Sequence, residues 1–162
     1  IYVGYKFYET AADEGFIDYA KTVQFPFGYG LSYTTFEQTL EGVTFDADSD
    51  MYQVSVRVKN TGSVAGKSVV EVYAQTPYGS YEQENQVEKA SIQLVGFEKT
   101  AMLQPGEEAT VTVPVERYFL ASYDSKGAAG YILSAGDYYL AVGDDAHDAT
   151  FWQPRATPPR TV

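Results

Sequence analysis

Two groups of carboxylates stand close enough along the chain to suggest acid–base chemistry: Glu82 with Glu84, and Asp144, Asp145 and Asp148. Cleaving a glycosidic bond takes two such groups flanking the bond at a fixed separation. Both sets lie in polar, loop-like sequence, "GSYEQENQ" and "GDDAHDA", where a carboxylate is ordinarily solvated and carries no chemistry. The single histidine, His147, sits inside the second set. Serine nucleophile catalysis would need it as a base, with a third group to orient it; a solvated loop histidine is the simpler expectation. The chain has no cysteine, which removes thiol catalysis and disulfides and, with one histidine, a structural zinc site. "DADSD" spaces Asp46, Asp48 and Asp50 like the start of a calcium loop, but its sixth position is Met51 rather than glycine and its twelfth is Arg57 rather than glutamate. A hairpin turn accounts for it better. No glycine-rich phosphate loop precedes a helix. Catalytic residues, metal ligands and a cofactor site are therefore expected to be absent.

Aromatic side chains offer a different chemistry, stacking on sugar rings. Tyr78 and Tyr81 sit in the polar loop "TPYGSYEQENQVEK" (76–89), and Trp152 sits near the C-terminus. Loops of this length are often functional, so Tyr78 and Tyr81 are candidate sugar contacts. The competing explanation is ordinary packing, because the chain's 15 tyrosines are spread along its whole length.

The elements that must position these residues read as strands. "MYQVSVRVKN" puts Tyr52, Val54, Val56 and Val58 on one face and Gln53, Ser55, Arg57 and Lys59 on the other, the period-two alternation of a half-buried strand. "SVVEVYAQT", "SIQLVGFEK" and "EATVTVPVE" continue the pattern, with Pro114 marking an edge strand or strand end. "GYILSAGDYYLAVGDD" (130–145) reads as a hairpin turning at Ala135-Gly136-Asp137, with Tyr138, Leu140 and Val142 inward. With "FEQTLEGVTFD" the count is about seven antiparallel strands, the pattern of an all-β, immunoglobulin-like sandwich. The predicted core is Tyr52, Val54, Val56, Val58, Val70, Val72, Val111, Val113, Tyr138, Leu140 and Val142.

Residues 1–35 fit this sandwich poorly. "IYVGYKFY" has no initiator methionine and reads as starting in mid-strand, as expected of a piece of a longer protein. "QFPFGYGLSYTTF" (24–36) then concentrates aromatic rings, glycine and proline without a charge. The expectation is an extended N-terminal arm over 1–35, a sandwich over 36–148, and an extended or disordered tail over 149–162. The formal net charge of −11 argues against nucleic acid and anionic membrane as partners, since both require a positive face. No apolar run is long enough to span a bilayer. Absence of cysteine does not fix the compartment, which stays open between cytoplasmic and secreted.

Taken in order, "FPFGYGLSYTTF", "VSVRVKNTGSVAGKSVVEVYAQ", "LVGFEKTAMLQPGEEATVTVPV" and "AGDYYLAVGDD" closely resemble the fibronectin type III-like domain of family 3 glycoside hydrolases. The resemblance covers about residues 1–148, and "YETAADEGFIDY" with "GDDAHDA" is most similar to the permuted members, whose barrel follows this domain. It implies a non-catalytic accessory domain of a β-glucosidase-type enzyme. Its partners would be the parent's catalytic barrel and its α/β-sandwich domain, which hold the catalytic groups in that family. Neither catalytic segment is present, so no catalytic residue carries over. Residues 1–35 would be the arm arriving from the α/β-sandwich domain. Phe25, Pro26, Phe27, Gly28, Tyr29, Gly30 and Tyr33 would form an interdomain seam, Gly28 and Gly30 letting the backbone turn and Pro26 fixing its approach. Isolated, such a stretch should fold back over its own sandwich or be covered by self-association. The alternatives are a carbohydrate-binding module, which needs an exposed aromatic row, and a generic immunoglobulin-like interaction domain.

Overall fold

A computed structural model describes residues 1–150; Trp152 and most of the expected tail lie outside the described residues. Strands dominate. The longer strands are β1 (Phe36–Asp46), β2 (Met51–Asn60), β3 (Val69–Gln75), β4 (Gln93–Lys99), β5 (Glu108–Glu116) and β8 (Tyr139–Gly143), with β2 and β5 alternating cleanly between buried and open positions, and two short strands form β6 (Ser122–Asp124) and β7 (Gly130–Ile132). One sheet has the order β1-β2-β5 and the other β4-β3-β8, with all pairings antiparallel. The two sheets pack face to face around Val54, Val56, Val58, Val70, Val72, Val111 and Val113, with Tyr52, Tyr138, Leu140 and Val142 against them. All eleven residues expected from alternation thus belong to this core, and Ala74, Val95, Leu103, Val115 and Leu120 complete it.

Register explains why alternation worked. Val54 faces Val113 and Val56 faces Val111 across β2 and β5, and a slip of one residue would turn every valine to solvent. β5 is an edge strand, which is where Pro114, opposite Gln53, can sit without costing a ladder bond. "DADSD" is the turn between β1 and β2. Asp46 accepts from the Asp48 amide and the Ser49 hydroxyl, so its carboxylate closes the turn. Replacing Val56, fully buried in the centre of β2, by alanine is expected to cost about 2 kcal/mol through lost burial and an unfilled void. Its neighbour Arg57 is half-buried and pairs at the surface with Glu41 and Glu108, so Arg57→Ala should cost about 0.5 kcal/mol or less. Denaturant unfolding of the two variants checks this; equal losses would put the inward face on the wrong side.

Three expectations change. Residues 130–145 do not form a hairpin with each other. β7 pairs with β6, while β8 crosses to pair with β3; the turn residues at 135–137 are a connection between sheets. The arm is not extended throughout, since it forms α1 (Tyr5–Asp13) and α2 (Tyr19–Thr22). A nine-residue helix is marginal alone, and α1 is held by docking. Tyr5 Oη accepts from the Leu94 amide at 2.8 Å, and Thr10 Oγ1 accepts from the Ser91 amide at 2.9 Å. Finally, residues 149–150 are not tail: they end α4 (Ala146–Thr150). The arm and α4 share a second core, Tyr73, Ile92, Ala141, Ala146 and Ala149, with Tyr5 and Leu94 beside it. Val72, Tyr73 and Ala74 are consecutive and all buried, so the β4-β3-β8 sheet is covered on both faces.

Candidate interdomain surface

The stretch 24–36 is tied down at both ends. At its start, Phe27 stacks on Tyr5 with ring centroids 4.2 Å apart, and the Ala146 amide donates to Phe27 O at 2.8 Å. Gly28 has φ +92°, and a Cβ there would overlap Glu71 Oε2 and crowd the Tyr73 hydroxyl and the Asp145 backbone. Only glycine suits both that conformation and that approach. Tyr73 donates to Glu71 Oε2 at 2.5 Å; its own burial, then that carboxylate, pushes the phenol well above its ordinary value. Gly30 carries no such requirement, because its φ is ordinary and a Cβ would meet open space; the turn belongs to Gly28 alone. At the far end, Thr34 Oγ1 donates to Asn60 Oδ1 at 2.7 Å and the Thr61 amide donates to Thr35 O at 2.9 Å. Asn60 is fully buried and donates onward to Val64 O and Leu103 O.

Between these anchors the side chains point outward. Tyr33 is 98% exposed and Leu31 90%. Phe25 and Tyr29, stacked on each other at 5.2 Å, are exposed as well. Of the seven residues expected at a seam, Phe25, Phe27, Tyr29 and Tyr33 all present exposed ring, though Phe27 is partly covered by Tyr5. Sequence reasoning missed Leu31 and the exposed Phe16; Leu31 lay inside the quoted motif, where its apolar character was the available signal.

Of the candidate catalytic groups, Glu82, Asp145, Asp148 and His147 hold the fold. Glu82 is buried within α3 (Ser80–Asn85), a helix inside the expected loop, and pairs with buried Lys89 at 2.9 Å. Burial opposes its ionisation, but hydrogen bonds with Ser134, Lys89 and the Gly79 amide prevail and bring the carboxyl down to about 2. Glu84 is exposed. Asp145 caps α4 by accepting from the Asp148 amide, and Asp148 accepts from the Asp144 amide. His147 is not a solvated loop residue. Its ring stacks flat on Tyr19 at 3.7 Å, and Nδ1 lies 2.9 Å from Oε2 of Glu9, a carboxylate buried in α1. This contact pins the arm to α4. Among the described residues, no cluster of three or more histidine, aspartate or glutamate side chains could hold a metal.

Tyr78 and Tyr81 do not form an exposed pair. Tyr78 is buried, and Tyr81 donates its hydroxyl to Asp124 Oδ2 at 2.6 Å. Asp124, itself fully buried, also accepts from the amides of Lys126, Gly127 and Ala128. Tyr81 therefore braces the β6–β7 turn.

Comparison with known proteins agrees with this architecture. The model of the fibronectin type III-like domain family matches residues 68–146. A β-glucosidase of Ruminococcus albus is 41% identical over 153 residues, taking in 92% of this chain and 14% of that protein. Among solved structures, a β-glucosidase from Paenibacillus barengoltzii superposes with a TM-score of 0.75 at 39% identity, over 91% of this chain and 15% of that one. The GH3 β-glucosidase of Bifidobacterium adolescentis gives a TM-score of 0.70 at 30% identity, over 92% and 20%. The chain thus spans between 14% and 20% of the length of these relatives.

Proposed function

The chain carries a fibronectin type III-like domain over residues 68–146, and from that premise we propose that it is a non-catalytic accessory domain of a family 3 glycoside hydrolase. The parent would be of the β-glucosidase type, acting on β-linked glucosides or related glycosides, and this domain would stabilise the multidomain assembly. The observation that carries the reading is the stretch 25–33, anchored at both ends and turned outward between them. A rigidly held run of exposed rings is organised for contact, whereas a merely mobile linker would have no use for the Gly28 and Asn60 anchors. Its partners would be the barrel and α/β-sandwich domains of the parent, with residues 1–35 as the arm between domains. The arm's folding back onto the β4-β3-β8 sheet supports a fixed rather than swinging connection, because only part of its apolar surface stays uncovered.

Tyr33 gives the cleanest test. At 98% exposure its replacement by serine should change the stability of the isolated chain by about 0.5 kcal/mol or less. In the whole enzyme, where the ring would be buried against a neighbouring domain, the same change should cost about 1.5–3 kcal/mol. Parallel unfolding of chain and enzyme, each with and without Tyr33→Ser, reads the difference. The same small effect in both would mean that this stretch faces solvent in the enzyme too.

A further inference from the structure

A second group of rings, separate from the stretch 25–33, lies on the β6–β7 hairpin and the 3₁₀ turn before it (Arg117–Leu120). Phe119, Tyr118, Tyr131 and Tyr123 follow one another at centroid spacings of 6.0, 5.3 and 5.3 Å. All four are between 47% and 62% exposed. Tyr123 and Tyr131 are cross-strand partners, and the same two residues wall a cleft of about 230 Å³ whose other walls include Lys6, Glu88, Gln93 and Ser122. We propose that this ridge and cleft bind a neutral β-linked gluco-oligosaccharide, one sugar ring lying against Tyr123 and Tyr131 with its hydroxyls reaching into the cleft.

The chemistry of the walls selects the ligand class. A pyranose has an apolar C–H face and a rim of hydroxyls that both donate and accept. A half-exposed tyrosine offers the matching apolar face with a polar edge. The cleft supplies a donor-only ammonium (Lys6), an acceptor-only carboxylate (Glu88) and a hydroxyl that does both (Ser122); the Gln93 amide in the same wall accepts from Lys6 and donates to Phe119 O, holding the lysine against the ridge. An anion would meet Glu88 and a chain of net charge −11; a cation would meet Lys6. A neutral polyol can use the ammonium, the carboxylate and the hydroxyl alike. The volume falls below the roughly 300–1,000 Å³ of drug-sized pockets, which suits one sugar ring in the cleft while the rest of the oligosaccharide runs along the ridge. The rings are also held in place before any ligand arrives. Asp124, between Tyr123 and the turn, accepts from three backbone amides and from Tyr81, so the hairpin loses little freedom on binding. The choice of a glucoside rests on the function proposed above; the site itself does not.

Titrating the 162-residue chain with cellotetraose, followed by amide chemical shifts, tests the proposal. Shifts should be confined to residues around 118–133 and the cleft, with a Kd of about 1 mM or below. Tyr131→Ala and Tyr123→Ala should each weaken binding roughly tenfold, while Tyr33→Ala should leave it unchanged. Absence of shifts at a roughly tenfold higher concentration, with the chain folded, overturns the site. So does binding that survives both ridge substitutions. If cellotetraose has no effect and 118–131 gains hydrogen-exchange protection in the whole enzyme, the ridge is a protein contact instead. The Tyr33→Ser comparison does not touch the ridge, so either proposal can fail without the other.

Discussion

Replacing Lys89 by methionine is expected to lower the unfolding free energy by about 3–5 kcal/mol, the usual cost of stranding one partner of a buried ion pair. Lys89 and Glu82 are each no more than 4% exposed, and the ammonium also donates to Pro77 O and Ser134 Oγ at 2.7 Å. Removing it leaves the Glu82 carboxylate in a dry site with the Gly79 amide and Ser134 as its remaining support. Domains are typically stable by only 5–15 kcal/mol, so the loss should be plain in denaturant unfolding. Removing both charges together, as Glu82→Leu with Lys89→Met, should recover much of it, because no unpaired charge is then buried. A loss of less than about 1 kcal/mol for Lys89→Met would show that water reaches the pair.

The same pair sets a pH dependence whose sign follows from Glu82. Its folded value, about 2, lies below the ordinary 4.5. The contribution is therefore fully present above about pH 4.5 and is lost as the pH falls through about 2, as the unfolded state takes up its proton first. Each unit of separation is worth about 1.4 kcal/mol, so the acid loss should approach about 3 kcal/mol. Glu82→Gln should flatten the stability profile in that window and leave it unchanged in slope above it.

Glu82 also marks where the sequence stopped being legible. The inner core was readable because each β2 and β5 valine faces one way and its polar neighbour the other; burial on one face leaves that signature in period two. The second core left none. Tyr73 and Ala74 interrupt the alternation because β3 is covered on both faces, and the covering elements are the arm and α4, whose short helices owe their existence to docking rather than to any pattern of their own. "GSYEQENQVEK" looked solvated because polar residues usually are, yet its one buried acid finds its one buried base seven residues on, along a path only the folded loop provides. His147 misled for the same reason: its partner Glu9 lies at the other end of the chain. β7 and β8 are neighbours in sequence but lie in different sheets, a choice made by long-range pairing that no local turn residue encodes. The aromatic stretch 24–36, by contrast, was recognisable, because uncharged rings next to glycine have few places to go. Which of its two glycines mattered was not, since that depends on Glu71 and Tyr73 lying opposite one of them.

Gly28→Val should release the arm while leaving the sandwich intact. The new side chain meets two obstacles at once. A φ of +92° disfavours any L-residue with a Cβ by about 1–2 kcal/mol, and a β-branched one by more. The Cβ would also displace the Glu71 carboxylate from its bond with the Tyr73 hydroxyl, a further loss of about 1 kcal/mol or more for a bond to a charged group. Together these exceed what Phe27 and Tyr5 can return from one stacked pair, worth about 0.5–1.5 kcal/mol beyond burial. The chain should respond by lifting residues 24–33 away, breaking the bond from the Ala146 amide to Phe27 O and uncovering Tyr73. Hydrogen exchange should therefore accelerate at Ala146, Leu94 and the amides of α1, while those of Val54, Val56 and Val113 stay as slow as before, since their sheet contacts do not involve the arm. Gly30→Val is the control. Its φ is ordinary and a Cβ there meets nothing, so the exchange pattern should not change. Acceleration spread evenly over both sheets in Gly28→Val would mean that arm and sandwich unfold as one cooperative unit, and the anchor assigned to Gly28 would then be part of the global core rather than the latch of a separable arm.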